Sequence, residues 1–144
     1  MSTYNQAAGF RFKGRLSGQP PHIMDLLCKD TETLSVGDIA NLESGEIDLG
    51  ATGDTNLLGV IMETQAGTDS TTRYKVITDA DALYEVYDPN ARLHGATLDL
   101  SGATGAQTVA TSSNKEFVVW GECTATEPTV VRINIGKHHE NKAQ

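Results

Sequence analysis

Basic residues are scarce in this chain of 144 residues, in which 11 Lys and Arg stand against 19 Asp and Glu for a formal net charge of −8. A generic nucleic-acid binder needs a basic face that neutralises phosphates, and an anionic membrane surface repels an acidic protein. No run approaches the ~18 consecutive apolar residues of a membrane helix, and residues 1–9 lack the apolar stretch of a secretory signal. We therefore expect neither nucleic acid nor a membrane as a partner, and we expect synthesis in the cytoplasm.

Groups that carry catalysis or hold cofactors are few and scattered. Cys28 and Cys123 lie far apart without a CxxC pair, and none of the four His belongs to an HExxH motif or lies near a GxSxG elbow. The Gly-rich stretches 50–54 and 101–105 lack the GK[ST] ending of a phosphate-binding loop, so they predict turns. We expect ordinary thiols, no enzyme activity, no catalytic residues, no cofactor and no metal site.

One carboxylate pair is a candidate for binding a hard cation. Asp79 and Asp81 lie two residues apart and match the first two positions of a calcium-binding loop, but the glycine and the terminal Glu of that loop are missing. We interpret the pair as solvated carboxylates in a turn. Residues 79–82 also suit one short turn of helix, because Asp caps a helix and Ala favours it.

The charge is unevenly distributed along the chain. Residues 1–22 carry three bases and no acid, contain five Gly or Pro and lack a sustained apolar period, which predicts an extended N-terminal arm. Residues 23–136 form the β-rich domain and contain nearly all the acids. Residues 137–144 are wholly polar, so we expect a frayed tail with His138 and His139 solvated.

The body is predicted to be mainly β, with at most short helices. Short runs rich in β-branched and aromatic residues alternate with Gly, Asp, Asn, Ser and Thr, a pattern typical of many short strands. Only residues 22–29 approach a helical period. The predicted strands are 37–43, 46–49, 57–63, 73–78, 83–88, 97–100, 117–123 and 129–135, the last with Val131, Ile133 and Ile135 on one buried face.

Two segments of the body give more specific predictions. Ser44 and Gly45 separate two predicted strands and indicate a two-residue hairpin turn. Residues 57–63 are apolar on both faces, which predicts a central strand, with Gly59 admitting a close neighbour. Because Leu, Ile, Val and Phe together make up only 31 of the 144 residues, we expect a thin core whose apolar faces gain from a partner chain.

The order of several short motifs resembles that of the small capsid decoration, or cement, proteins of tailed double-stranded DNA bacteriophages. The resemblance covers about residues 34–135, and its motifs mark strand and turn positions. They are LSVGDI at 34–39, LGV at 58–60, VITDAD at 76–81 followed by YEV at 84–86, LDL at 98–100 and NKEFVV at 114–119.

The resemblance implies a compact β-barrel or β-tulip body that forms a homotrimer. Such a trimer binds the major capsid protein on the outer surface of the expanded head and stabilises the head against internal DNA pressure. An extended N-terminal arm that reaches the shell or a neighbouring decoration trimer is common in these proteins. In this chain we expect docking through six residues of the arm: Phe10, Arg11, Phe12, Lys13, Arg15 and Leu16.

A second hypothesis is a carbohydrate-binding β-module of a phage tail or of a bacterial surface protein. Trp120 together with Tyr74, Tyr84 and Tyr87 would then line a sugar platform. Aromatic residues make up only 6% of the chain, which is modest for such a platform.

Overall fold

The computed structural model describes residues 9–29, 32–64, 72–111, 113–121 and 128–139. Within them the chain forms eleven β-strands and one 3-10 turn at Ile135–Lys137, which confirms the predicted mainly-β body. The strands are β1 (Phe10–Arg15), β2 (Ile23–Leu27), β3 (Ile39–Glu43), β4 (Glu46–Leu49), β5 (Leu57–Thr64), β6 (Arg73–Ile77), β7 (Ala82–Val86), β8 (Thr97–Ser101), β9 (Thr108–Thr111), β10 (Phe117–Val119) and β11 (Thr129–Ile133).

The strands build two antiparallel sheets. One has six strands in the order β1-β7-β11-β10-β8-β9, and the other has five in the order β2-β6-β5-β3-β4. The five-stranded sheet curls, because Cys28 forms a bridge with Ile47 of β4 and the Lys29 amide donates to the Ile47 carbonyl at 2.9 Å. In the described residues the strands form two sheets and no closed barrel is found, so the compact β-barrel or β-tulip body implied by the resemblance is shown only as a mainly-β body of two sheets.

Two apolar clusters fill the body. The first lies between the sheets and includes Phe10, Ile77, Tyr84 and Phe117. The second lies on the opposite face of the five-stranded sheet, inside its curl. Its buried members are Cys28, Leu34, Ala40, Ile47, Leu58, Ile61, Tyr74 and Val76.

β5 is the central strand of its sheet, as predicted. Leu57 and Val60 belong to the first cluster, whereas Leu58 and Ile61 belong to the second. Both apolar faces of β5 are therefore covered within one chain. The argument that these faces need a partner chain is wrong, because the curl of the sheet supplies the second cover.

The predicted boundary of the N-terminal arm is wrong for residues 10–15, which form β1. This strand pairs with β7 from Phe10 opposite Val86 to Arg15 opposite Ala82. The alternation of Phe with Arg and Lys in this segment has the period of a half-buried strand, and pairing with β7 outweighs the nearby glycines. Residues 16–22 connect the two sheets, and residues 1–8 lie outside the described residues.

Three further local predictions are corrected. The segment that approached a helical period contains β2, which pairs with β6 along its whole length. Residues 79–82 form a turn closed by the Ala82 amide and the Asp79 carbonyl, 3.3 Å apart, and no helix. Ile135 is 62% exposed in the 3-10 turn, because β11 ends two residues earlier.

The hairpin at Ser44 and Gly45 is confirmed. It joins β3 to β4, and both residues have positive φ, 53° and 84°. Positive φ at both central positions marks the turn whose twist matches that of the flanking strands.

The frayed tail is wrong at His138, which is completely buried. Its Nε2 lies 2.8 Å from the Leu58 carbonyl oxygen, and its backbone forms a bridge with Leu57. The hydrogen bond offsets the cost of burying the ring. The segment that follows β11 is thus attached to β5 at His138. Residues 140–144 lie outside the described part.

Candidate docking surface

Of the six residues predicted to dock the protein, the two phenylalanines pack into the body. Phe10 is 2% exposed and stacks on Phe117 with ring centroids 5.0 Å apart. Phe12 is half-buried and meets Tyr84 edge-on at 6.4 Å. These aromatic contacts lie on the inner face of the six-stranded sheet and hold β1 in place as its edge strand. The prediction that both phenylalanines take part in docking is wrong for Phe10, which is a core residue.

The next two predicted residues lie beside an acid of the neighbouring strand. Arg11 is opposite Glu85 of β7, and Lys13 Nζ lies 3.9 Å from the Glu85 carboxylate. The Lys13 side chain is 50% exposed, and ion pairs of that kind contribute little to stability. Lys13 therefore remains accessible at the edge of the sheet.

Arg15 forms an ion pair with two carboxylates, here called the Arg15 clamp (Arg15, Asp79 and Asp81). Its Nε lies 2.7 Å from Asp81 Oδ1, and its Nη1 lies 3.5 Å from Asp79 Oδ1. The same carboxylates accept main-chain hydrogen bonds, Asp81 from the Ser17 amide at 3.1 Å and Asp79 from the His22 amide at 2.7 Å. The clamp therefore fastens both ends of the β1–β2 connection to the turn between β6 and β7.

The Arg15 clamp also identifies the cation that Asp79 and Asp81 share. Burial raises the pKa of Asp81, but the hydrogen bonds from Arg15 and Ser17 outweigh it and hold that pKa below its usual range. Among the residues described, no group of three or more His, Cys, Asp or Glu is placed to hold a metal ion. The interpretation of a turn with solvated carboxylates is wrong, because a guanidinium bridges the pair.

The LSVGDI motif contains a joint, meaning here a residue that ties two separate segments together. Asp38 is completely buried, and its Oδ2 accepts from the Ser35 amide at 2.8 Å and from the Thr104 hydroxyl at 2.6 Å. Its Oδ1 accepts from the Gly105 amide at 2.9 Å. These bonds replace the water that the carboxylate loses on burial. Asp38 thereby links the loop before β3 to the loop between β8 and β9.

The LGV motif contains a glycine at a point where neighbouring strands come very close. A Cβ atom at Gly59 would overlap the Ile77 carbonyl oxygen and lie 2.5 Å from the Tyr84 hydroxyl. Tyr84 is fully buried, and this burial raises the pKa of its hydroxyl. The predicted close approach at Gly59 is confirmed, since only a residue without a side chain leaves room for these neighbours.

Two buried acids, which sequence reasoning did not single out, also tie separate segments together. Asp99 Oδ1 accepts the amides of residues 113–115 at 2.8 to 2.9 Å. Burial raises the pKa of Asp99, but these amides outweigh it and lower the pKa to about 2. Glu116 accepts from the Leu100 amide at 2.9 Å and from the Gly53 amide at 3.1 Å. Neither the surrounding sequence nor residue spacing indicates these amide partners.

Apolar side chains are exposed on both sides of the β1–β2 connection. Leu16, which was predicted to dock, is 40% exposed, and Ile23 and Met24 at the start of β2 are each 44% exposed. Sequence reasoning missed the last two because it read their segment as close to a helical period. Their signal is a run of four apolar residues in five, IMDLL, directly after two prolines and a histidine.

The aromatic residues proposed for a sugar platform do not lie together on the surface. Tyr74 is 4% exposed and Tyr84 is completely buried. Trp120 is 36% exposed, but the Arg132 guanidinium lies 5.6 Å from its ring centroid and the His94 ring meets it edge-on at 4.9 Å. Groups of the same chain therefore already pack against the indole.

Comparison with known proteins adds no relative to this picture. No protein-family model matches the chain, and no curated protein matches it. No helix in the described ranges is long and apolar enough to cross a membrane. A function has to be proposed from the residues of the chain itself.

Proposed function

We propose that this protein is a capsid decoration protein of a tailed double-stranded DNA bacteriophage. It binds as a homotrimer to the outer surface of the expanded head, where it contacts the major capsid protein and stabilises the head against the pressure of packaged DNA. It acts without a cofactor and becomes part of the virion after synthesis in the host cytoplasm.

The main support for the proposal comes from the positions and contacts of the residues on which the resemblance rests. Asp38 joins two loops, Gly59 lets strands of both sheets approach, and Asp79 with Asp81 holds Arg15. Each of these carboxylates is engaged by donors of its own chain. Motif residues that stiffen the body, rather than present reactive groups, suit a protein whose task is mechanical.

The exposed side chains near the Arg15 clamp suit attachment to another protein. Burying one aliphatic side chain contributes roughly 1.5 to 3 kcal/mol, and Leu16, Ile23 and Met24 are all available on one protomer. A trimer presents three copies of such a surface, so modest single contacts add up once the first copy is bound. From the predicted docking set, Lys13 and Leu16 remain accessible for this role.

The proposal is tested by cosedimentation of the purified protein with expanded heads from which the decoration protein is missing. We expect saturable binding to expanded heads and a higher temperature of head disruption once they are occupied. Absence of binding to the heads of the phage that encodes this chain would overturn the proposal. Thermal stabilisation by a sugar, without binding to heads, would support the carbohydrate-binding module instead.

A further inference from the structure

The six-stranded sheet has an outer face that belongs to neither apolar cluster. Every second residue of β7 is buried in the first cluster, so Leu83 and Glu85 lie on the opposite face of that strand. The strand register continues this face across the sheet, since Glu85 is opposite Arg11 of β1 and Val130 of β11. The outer sheet face, as it is called here, consists of Arg11, Lys13, Leu83, Glu85, Val118, Trp120, Val130 and Arg132.

Apolar side chains occupy the middle of the outer sheet face. Leu83, Val118 and Val130 are only half-buried, and none of them is a member of either cluster. They lie on three strands that are neighbours in the sheet, β7, β11 and β10, and Trp120 follows β10 with 36% of its surface exposed. The solvated face of an antiparallel sheet is ordinarily polar. Adjacent apolar side chains on such a face are typical of a binding surface.

The outer sheet face also differs in charge from the rest of the chain. It carries three bases and one acid, whereas the whole chain has a net charge of −8. At its border the Arg15 clamp adds one negative charge, and the ion pair of Asp88 with Arg92 adds none. Two buried acids, Asp99 and Glu116, and the exposed Lys115 follow at the far end of β8 and β10. Even with all of these counted, this side of the molecule is about neutral, so the negative charge lies elsewhere.

The β3–β4 hairpin and the loop after it carry part of that negative charge. The acidic hairpin, as it is called here, contains Glu43, Glu46, Asp48 and Asp54. Of these four acids, only Glu43 takes part in an ion pair of the described residues, with Lys29 at 3.1 Å. Burial raises the pKa values of Asp48 and Asp54, and repulsion from Glu43 raises both further. Like charges are therefore crowded in this hairpin, and a base from another molecule would relieve their repulsion.

We infer that the outer sheet face of one copy of this chain receives the acidic hairpin of the next copy. The inference rests on the proposed homotrimer and names the two surfaces that hold it together. Because the two surfaces are different, each copy offers one to each neighbour, and such a head-to-tail contact closes into a ring. Bases of the sheet face attract the hairpin, and the apolar side chains beside them lose water on contact. Lys13 is then used between copies, while Leu16, Ile23 and Met24 remain for the shell.

The test reverses one charge on each surface and then both together. Lys13→Glu and Glu46→Lys each place like charges opposite one another, so each variant should need about tenfold or more protein to assemble than the wild type. The double variant restores the attraction and should again give the mass of a trimer of the 15.4 kDa chain. Multi-angle light scattering over a concentration series measures these masses. The control is Lys75→Glu, which makes the same change in net charge beside an acid of the other sheet, Glu63, and should assemble like the wild type.

Fluorescence of the unmodified protein provides a second reading of the same contact. Trp120 is the only tryptophan of the chain, so its emission reports on the outer sheet face. The emission should shift to shorter wavelength as the protein assembles, in step with the mass. Salt at about 1 M screens the charges and should raise the concentration needed for assembly. A trimer whose emission equals that of the monomer would contradict the inference.

The remaining outcomes separate the inference from the proposed function. Single variants that form trimers like the wild type, with native circular dichroism spectra, would overturn the inference and leave the proposed function standing. A double variant that stays monomeric would overturn the pairing of these two surfaces. Single variants that form trimers but no longer bind heads would assign the outer sheet face to the shell contact instead. A monomeric wild type would overturn both the inference and the trimer, whereas cosedimentation with heads still decides the proposed function.

Discussion

Three buried acids accept hydrogen bonds from main-chain amides of segments distant in sequence: Asp38, Asp99 and Glu116. A buried carboxylate is costly unless donors surround it, and here the donors are amides that would otherwise lack partners in loops. Each acid therefore fixes a loop that has few apolar side chains of its own. At the scale of single residues, stability depends on these joints as well as on the two apolar clusters.

The first prediction concerns the pH dependence of stability at Asp99. Its pKa is about 2 in the folded protein against 3.8 for an ordinary aspartate, so its ionised form contributes stability above about pH 4. That contribution is lost as the pH falls from about 4 toward 2, because protons then bind the unfolded chain first. We expect Asp99→Asn to lower the free energy of unfolding at pH 7 by about 1 to 3 kcal/mol.

Denaturant unfolding from pH 7 to pH 2 checks this expectation. The difference between wild type and Asp99→Asn should shrink below pH 4. Burial raises the pKa values of Asp48 and Asp54, so the wild-type profile alone mixes opposite effects and the paired variant is needed. A difference that stays constant down to pH 2 would show that the carboxylate charge of Asp99 contributes nothing.

The second prediction concerns Gly59, where a methyl group would overlap the Ile77 carbonyl oxygen. Because that neighbour is main chain in the centre of the sheet, it cannot move aside cheaply. We expect Gly59→Ala to cost about 3 kcal/mol or more, at or above the upper end for overpacked cores. The control is Gly14→Ala, since nothing lies within 4 Å of a Cβ atom there. Equal melting temperatures for the two variants would refute the close packing at Gly59.

At the scale of secondary-structure elements, the sequence predicts strands well where turn chemistry or a two-sided apolar pattern marks them. The Ser44-Gly45 hairpin and the central position of β5 are examples. β1 was missed because its glycines and flanking prolines resemble those of a linker. The period-2 alternation of FRFK indicates a strand, but its partner β7 lies about 70 residues away, so the local sequence does not reveal the pairing. β9 carries no signal beyond four small or β-branched residues.

The third prediction separates a strand from an arm. Phe10→Ala should lower the free energy of unfolding by about 3 to 5 kcal/mol, since the ring is 2% exposed and stacks on Phe117. Lys13→Ala should change it by less than about 0.5 kcal/mol, because the side chain is half exposed. Denaturant titrations of both variants provide the measurement. If Phe10→Ala unfolds like the wild type, residues 10–15 are an arm after all.

At the scale of the whole molecule, the sequence shows apolar faces but not what covers them. The two faces of β5 suggested a partner chain, yet the curl that brings Cys28 to Ile47 covers the second face within the monomer. Such curling depends on contacts between residues distant in sequence, which local patterns do not encode. The Arg15 clamp is similar, since Asp79 and Asp81 were recognised as a pair while their cation lies more than 60 residues earlier.

The proposed trimer can therefore no longer be argued from the two faces of β5, since both are covered within one chain. Leu16, Ile23 and Met24 are the exposed apolar side chains near the Arg15 clamp that remain available for contacts with other chains. In the proposed function, the net charge of −8 would keep free copies of the trimer apart until they bind the shell.

The central claim is that the protein belongs to the outside of a phage head, and the most direct test is its copy number in intact particles. Quantitative mass spectrometry of purified virions, with the major capsid protein as internal standard, measures this number. The account predicts hundreds of copies per particle, with the chain accessible to protease on intact heads. Its absence from purified virions, or its presence at only a few copies, would contradict the account.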